Sequence, residues 1–374
     1  MNPMYLALRE IRHAKLRFAL VVTIMLLVSF LVLFITGLAR GLAYDTTSAL
    51  ETMKADHFVL EKGADNRFGR SLLTGNELDA AQEVVGSDKA LPLAVRMSTV
   101  SIEGAAVKKD VTLFTVDADS WLLPDVMEGS TITSTSEGHV LADKKLKSAG
   151  AEVGTVLKDP ASGMSWTISG FVDQSAYSHT PVVFLNQKDG AKLRAAFRSQ
   201  ASTQTDSYNV IAVQATKEQV HELAQRLPET DIIPRQDAID AIPGYSEEQG
   251  SFTLMIAFLY VIAAFVLAVF FYVITLQKLS QFGILKAIGA RTGTLAAGLI
   301  VQVLLLSVGS AGISLLLVRF MMQALPDTMP FRLGTATMLL TAGAFVLVAV
   351  LGSLLSIGKV ARTDALEAIG GTAG

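Results

Sequence analysis

Residues 252–291 read FTLMIAFLYVIAAFVLAVFFYVITLQKLSQFGILKAIGAR, an apolar run from 252 to 276 followed by Lys278, Lys286 and Arg291 with no acidic residue among them. At about 1.5 Å of rise per residue the run is long enough, as a helix, to cross a hydrocarbon core about 30 Å thick. A charged side chain at mid-bilayer costs roughly 3 kcal/mol on insertion scales, so an uncharged run of this length reads as a membrane span. The basic segment after it reads as cytoplasmic, because retained Lys and Arg mark that side. Working outward, the same pattern recurs at 295–318 and 336–357, and once more near the N-terminus at 18–38.

The flanks of those runs set the orientation. Arg9, Arg12, Lys15 and Arg17 precede the first span, and Lys359 and Arg362 follow the fourth, so both termini are expected in the cytoplasm. The turn at 319–335 holds Arg319, Asp327 and Arg332 and is only weakly basic, which suits the far side. The expected fold class is a polytopic α-helical membrane protein with four transmembrane helices in a 1+3 order. An α+β extracytoplasmic domain is inserted after the first helix. The expected segments are an amphipathic cytoplasmic lead-in at 1–17 and a first span at 18–40, then the extracytoplasmic domain at 41–250. A second span at 251–277 and a cytoplasmic segment at 278–293 follow. The third span is placed at 294–318, an external loop at 319–335, the fourth span at 336–357 and a cytoplasmic tail at 358–374. A composition of 51% hydrophobic and only 17% charged residues fits a membrane protein. A cleavable signal peptide is the alternative for 18–38, but the run exceeds the usual apolar region of about 7 to 15 residues.

Within 41–250, β-rich runs at 57–60, 94–102, 111–116, 165–172, 181–184 and 208–213 alternate with helical patterns at 76–85, 142–149, 187–197 and 217–227. Gly150 reads as a helix stop, and 237–251, with Pro243, Gly244 and Gly250, reads as a linker back to the membrane. The chain has no cysteine, which excludes disulfides, thiolate metal sites and a cysteine nucleophile.

Energy and chemistry motifs are absent. No G-x-x-x-x-G-K-[ST] loop occurs, so ATP would have to be bound by a partner, and the spans carry no Asp, Glu, Lys or His to couple an ion gradient. No H-E-x-x-H or G-x-S-x-G motif occurs, and His13, His57, His139, His179 and His221 are scattered, so no catalytic residue and no metal site is expected. Tyr177-Ser178-His179 is the one local cluster of ligand-like side chains outside. The segment Gln281 to Arg291 is different: Phe282, Leu285 and Ile288 recur at helical spacing beside Lys286, and Gly289 is placed to end a helix. Apolar knobs on a cytoplasmic helix need a groove to bury them.

On these residues the chain resembles the permease subunits of the MacB/FtsX-type ABC transporters. Three stretches carry the resemblance: Tyr5 to Arg12, Gln281 to Arg291, and Ala361 to Ile369. The wording QFGILKAIGA, which has Gln281-Phe282 where that family usually has an acidic residue, is most similar to the haem-exporting, Hrt-type branch, and next to the DevC-type glycolipid exporters. The resemblance implies that the segment at 278–293 is a coupling helix docking on a cytoplasmic ABC ATPase through Phe282, Leu285, Lys286 and Ile288. It also implies a homodimer in a bacterial plasma membrane, with no nucleic-acid partner, no intrinsic cofactor, ATP bound by the partner, and haem as the substrate. A lipid, lipopeptide or antimicrobial peptide is the alternative load, and a non-transporting transmitter of the FtsX type the alternative role.

A porphyrin is flat and lipid-partitioning, so a site between helices open to the outer leaflet would avoid a polar path. Haem iron takes His, Met, Tyr or Cys. Met255 is the first choice, with Phe252 beside it to flank a ring, and Tyr260 and Tyr44 are further candidates. Arg40 is placed to pair with a propionate. Gly37 and Gly41, four apart, with Phe30 and Phe34 below, are expected to let the first two spans form a dimer face.

Overall fold

The structure, a computed structural model, describes residues 15–105, 108–197, 207–278, 281, 283–285, 288–289, 292–326 and 329–362. The chain divides into two compact units, Leu42–Gln249 and the combination of Met1–Gly41 with Gly250–Gly374. The first helix, α1 (Lys15–Glu51), runs past the expected end of the span at 40. Its last turns remain helical because Ala49 and Leu50 bury themselves in the core of the inserted unit, with Met53 just beyond the helix end doing the same.

The inserted unit is an α+β domain. Its strands are β1 (His57–Glu61), β2 (Leu73–Thr74), β3 (Ala90–Ile102), β4 (Lys108–Val116), β5 (Val126–Gly129), β6 (His139–Asp143), β7 (Val156–Lys158), β8 (Ser165–Val172), β9 (Ala176–Tyr177), β10 (Thr180–Asn186), β11 (Ser207–Tyr208), β12 (Val210–Val213) and β13 (Thr230–Pro234). Its helices are α2 (Gly75–Val85), α3 (Gln187–Ala196), α4 (Lys217–Arg226) and α5 (Arg235–Asp240). Among the described residues the main sheet runs β13-β1-β12-β3-β4-β10-β6-β8-β5, antiparallel except where β10 meets β4 and β6 meets β8. The central strands are apolar on both faces. Val182 and Phe184 of β10 enter one core cluster while Val183 and Leu185 enter another, as a period of two dictates. That is why these strands read as near-continuous apolar runs.

Two expectations for this unit need correction. The helix expected at 142–149 is the end of β6 followed by a 3-10 turn at Lys144–Ala149. Val140, Leu141 and Ala142 are fully buried between β10 and β8, and the Asp143 side chain accepts from Lys145 N at 2.7 Å to start the turn, which Gly150 closes at φ +91°. The linker expected at 237–251 is mostly helix, α5 and then α6 (Tyr245–Gln277), because Ala238, Ile239 and Ile242 anchor it to the domain core.

The membrane unit completes four long apolar helices with α7 (Thr292–Ala324) and α8 (Thr335–Arg362). Phe18, Met25, Leu267, Phe271, Val303 and Phe345 bring α1, α6, α7 and α8 into one core. Small polar residues join the helices: Ser314 Oγ donates to the Leu26 carbonyl at 2.9 Å, and Gly352 lets α8 approach the Ala264 carbonyl on α6. The glycines expected to serve a dimer face are occupied within the chain. A Cβ on Gly37 would fall inside the ring of Phe331, and one on Gly41 would meet the Pro330 carbonyl. This corrects the dimer-face role of Gly37 and Gly41: their small-xxx-small spacing admits the segment between α7 and α8.

Candidate functional site

On α6 the positions 252, 255 and 259 fall on one side by helical spacing. Met255 is 39% exposed, and Leu254, Phe258, Val261, Ile262 and Phe265 are also exposed, so this stretch offers a long apolar surface with a thioether in it. Phe252 is half-buried next to Met255 on that side.

Tyr260 is not brought to it. Five residues along a helix turn the side chain by about 140°, and the Tyr260 hydroxyl donates to the Thr341 carbonyl of α8 at 3.1 Å. This corrects the grouping of Tyr260 with Met255, since a phenol at membrane depth needs an acceptor and α8 supplies one. Arg40 is exposed on α1 in the same unit, whereas Tyr44 belongs to the inserted unit and is half-buried there.

Of the residues expected to couple to an ATPase, Phe282 and Lys286 lie outside the described residues. Leu285 is half-buried against Leu295 and Leu299 of α7, which corrects its reading as an outward knob. Among the described residues of this segment, the exposed apolar positions are Ile284, 57% exposed, and Ile288, 77% exposed. Gly289 follows at φ +96°, a left-handed conformation suited to ending a helical turn. Periodicity alone does not choose between faces; Ile284, one residue before Leu285, takes the exposed side.

A third arrangement was not foreseen. Ser178 and His179 form the two-residue loop between β9 and β10, both at positive φ, 51° and 63°. A hairpin of this kind favours Asn-Gly, so Ser-His stores strain. The loop grips the C-terminal turns of α1. Ser178 N donates to the Thr46 carbonyl at 2.9 Å, Ala176 N donates to Ser48 Oγ at 2.8 Å, and the His179 ring lies 3.2 Å from Thr46 Oγ1. His179 Nε2 is also 3.4 Å from Glu248 on the first turn of α6.

Below this grip Lys145 pairs with Asp45 of α1, and the buried Asp143 accepts from Ser175 N. Burial pushes the Asp143 carboxyl up to about 6, against the pull of hydrogen bonds from Lys145 and Ser175. Burial lowers the Lys145 ammonium to about 8, while its pairing with Asp45 works the other way. The sequence signal for the grip was the polar run Asp45-Thr46-Thr47-Ser48 directly after an apolar span, together with Tyr177-Ser178-His179.

The sequence is similar to known proteins along nearly its whole length. The FtsX-like permease C-terminal family matches residues 253–365. A protein of Staphylococcus haemolyticus named "Putative hemin transport system permease protein HrtB" is 30% identical over 368 residues, covering 98% of this chain and 99% of the relative. A protein of the same name from Staphylococcus epidermidis is 28% identical over the same shares. An uncharacterized ABC transporter permease of Mycobacterium tuberculosis is 25% identical over 375 residues, covering 98% of this chain and 99% of the relative. Among solved structures, the extracellular domain of the noncanonic ABC-type transporter YknZ from Gram-positive bacteria aligns with 45% of this chain and 87% of its own, at 14% identity and a TM-score of 0.34.

Proposed function

The chain belongs to the FtsX-like permeases of ABC transporters, and from that premise we propose that it exports haem out of the membrane as a homodimer driven by ATP hydrolysis on a separate subunit. Membership implies a membrane location and a cytoplasmic ATPase partner. The observation that carries the choice of haem is the 30% identity, along 98% of the chain, to a hemin transport permease.

The α6 surface supports the same reading. Met255 offers a soft neutral ligand that places no charge in hydrocarbon, and Phe252 lies on the same side to flank a flat ring. Arg40 is exposed to pair with a propionate. Ile288 and Ile284 supply apolar surface for the ATPase, which carries the nucleotide site that this sequence lacks. Both termini then lie in the cytoplasm, as the basic flanks require.

The test is haem titration of the full-length wild type, Met255→Leu and, as a control, Met338→Leu, whose methionine is buried between α1, α7 and α8. Leucine keeps volume and hydrophobicity, at a cost below about 1.5 kcal/mol. A displaced Soret band and weakened affinity in Met255→Leu alone are expected. Identical spectra and affinities in all three proteins would remove Met255 as a ligand, and no haem binding by the wild type, with lipid-stimulated ATPase activity instead, would assign the load to lipid.

A further inference from the structure

The inserted unit holds a basic cleft that the proposed function leaves unused. A cavity of about 370 Å3 is lined by Arg67, Arg70, Arg96, Met97, Tyr177 and Pro243. A second cavity of about 310 Å3 shares Gly69, Val95 and Arg96 with it and adds Arg194. Among the described residues no carboxylate lines either cavity. Asp65 pairs with Arg70 at the exposed edge.

The cations are placed for a ligand. The Arg96 guanidinium stacks 3.4 Å from the centroid of the Phe197 ring, a contact that fixes its plane and leaves the edges of its fork free to hydrogen-bond. Arg67 and Arg96 line the first cavity, where no described carboxylate joins them, and the positive potential they produce is relieved by an anion, since Arg matches carboxylate oxygens two at a time. Beside the arginines, the first cavity has an apolar wall of Val95, Met97, Pro243 and the Tyr177 ring. Met97 is 57% exposed, and the buried Tyr177 ring is held from behind by Phe68 and Phe114, with centroids 6.1 and 5.7 Å away. A small inorganic anion would leave that wall wet. An amphipathic anion covers both parts.

We propose that this cleft binds the carboxylate end of an amphipathic dianion, namely the two propionates of a porphyrin, on the inserted domain. The proposal rests on the haem-export reading and adds a site to it. Ser178 lines the cleft, and its neighbour His179 touches Thr46 of α1 and Glu248 of α6, so a ligand here would adjoin the grip on both helices within this unit.

The test uses the full chain in nanodiscs of zwitterionic lipid, titrated with metal-free protoporphyrin IX and with its dimethyl ester. Without iron the probe does not read ligation by Met255, so failure of that assignment and failure of this one are distinguishable. The wild type and Met255→Leu should both bind the free acid at least about tenfold more tightly than the ester, the order expected for a charge-assisted contact. In the double variant Arg67→Gln and Arg96→Gln the preference should vanish, and in the corresponding double lysine variant it should persist in weaker form. Equal binding of acid and ester by the wild type, or an unchanged preference in the glutamine variant, would overturn the proposal. Should the glutamine variant not fold, the wild-type and lysine comparisons decide. Competition by phosphatidylglycerol with the same arginine dependence would overturn the porphyrin assignment in favour of a lipid headgroup.

Discussion

The ring of Phe331 fills the space into which a Cβ on Gly37 would project, and Arg332 N donates to the Gly37 carbonyl at 3.0 Å. Phe34 also packs on that ring, 5.7 Å between centroids, and itself stacks on Phe30 at 6.2 Å. The segment between α7 and α8 is therefore fastened to α1 through two glycines. Gly37→Ala has only the Phe331 ring to displace, whereas Gly41→Ala meets backbone at Pro330. Overpacking costs about 1 to 3 kcal/mol. Thermal unfolding in detergent should show Gly41→Ala destabilised more than Gly37→Ala, and equal wild-type stability in both would refute the fit.

In the segment between α6 and α7, Ile288→Asp and Leu285→Asp should fail in different ways. Ile288 is exposed, so its variant should fold normally and lose association with the ATPase, because an unpaired charge would be buried at the interface. Leu285 packs on Leu295 and Leu299, so its variant should lose stability first. Co-purification with the ATPase, measured beside melting temperature, separates the two. Normal co-purification of Ile288→Asp would place the interface elsewhere.

Asp143 predicts a pH dependence. Its folded carboxyl is raised from the ordinary range to about 6, so the folded state binds the proton more tightly than the unfolded state does. The favourable contribution is complete below about pH 4 and is lost as pH rises through about 6, a span worth roughly 3 kcal/mol. Melting temperature of the full chain should fall across that window in the wild type, and the fall should be flatter in Asp143→Asn. Parallel curves for the two proteins would show that Asp143 does not set the slope.

Ser178 and His179 pit local strain against a useful contact. Replacing the pair by Asn-Gly removes positive-φ strain of order 1 kcal/mol per residue and also removes the imidazole near Thr46 and Glu248. The Asn-Gly variant should be at least as heat-stable as the wild type while coupling ATP hydrolysis to export less efficiently. Unimpaired export per ATP would make the loop a plain turn.

The membrane half was legible because four uncharged runs have few physical alternatives. Legibility fell where tertiary contacts choose between equal local options. Val140-Leu141-Ala142 suits a buried strand as well as a helix, and pairing with β10 and β8 makes it a strand. Gly37 and Gly41 announce a close approach without naming the partner, which is Phe331 and Pro330 of the same chain. Met255 and Phe252 share a face because their spacing of three requires it, while Tyr260 follows its hydroxyl to Thr341. The grip of His179 on Thr46 joins residues 133 positions apart, and no local pattern encodes such a pairing.

The most direct measurement is ATP-dependent haem transfer. The chain and its ATPase partner are reconstituted in vesicles with haem in the bilayer, and a haem-accepting apoprotein is supplied on the side of the inserted domain. Haem export predicts that the acceptor fills on addition of ATP, that Met255→Leu slows filling while Met338→Leu does not, and that Ile288→Asp abolishes it. Filling at the same rate with and without ATP, from a complex that hydrolyses ATP normally, would contradict it.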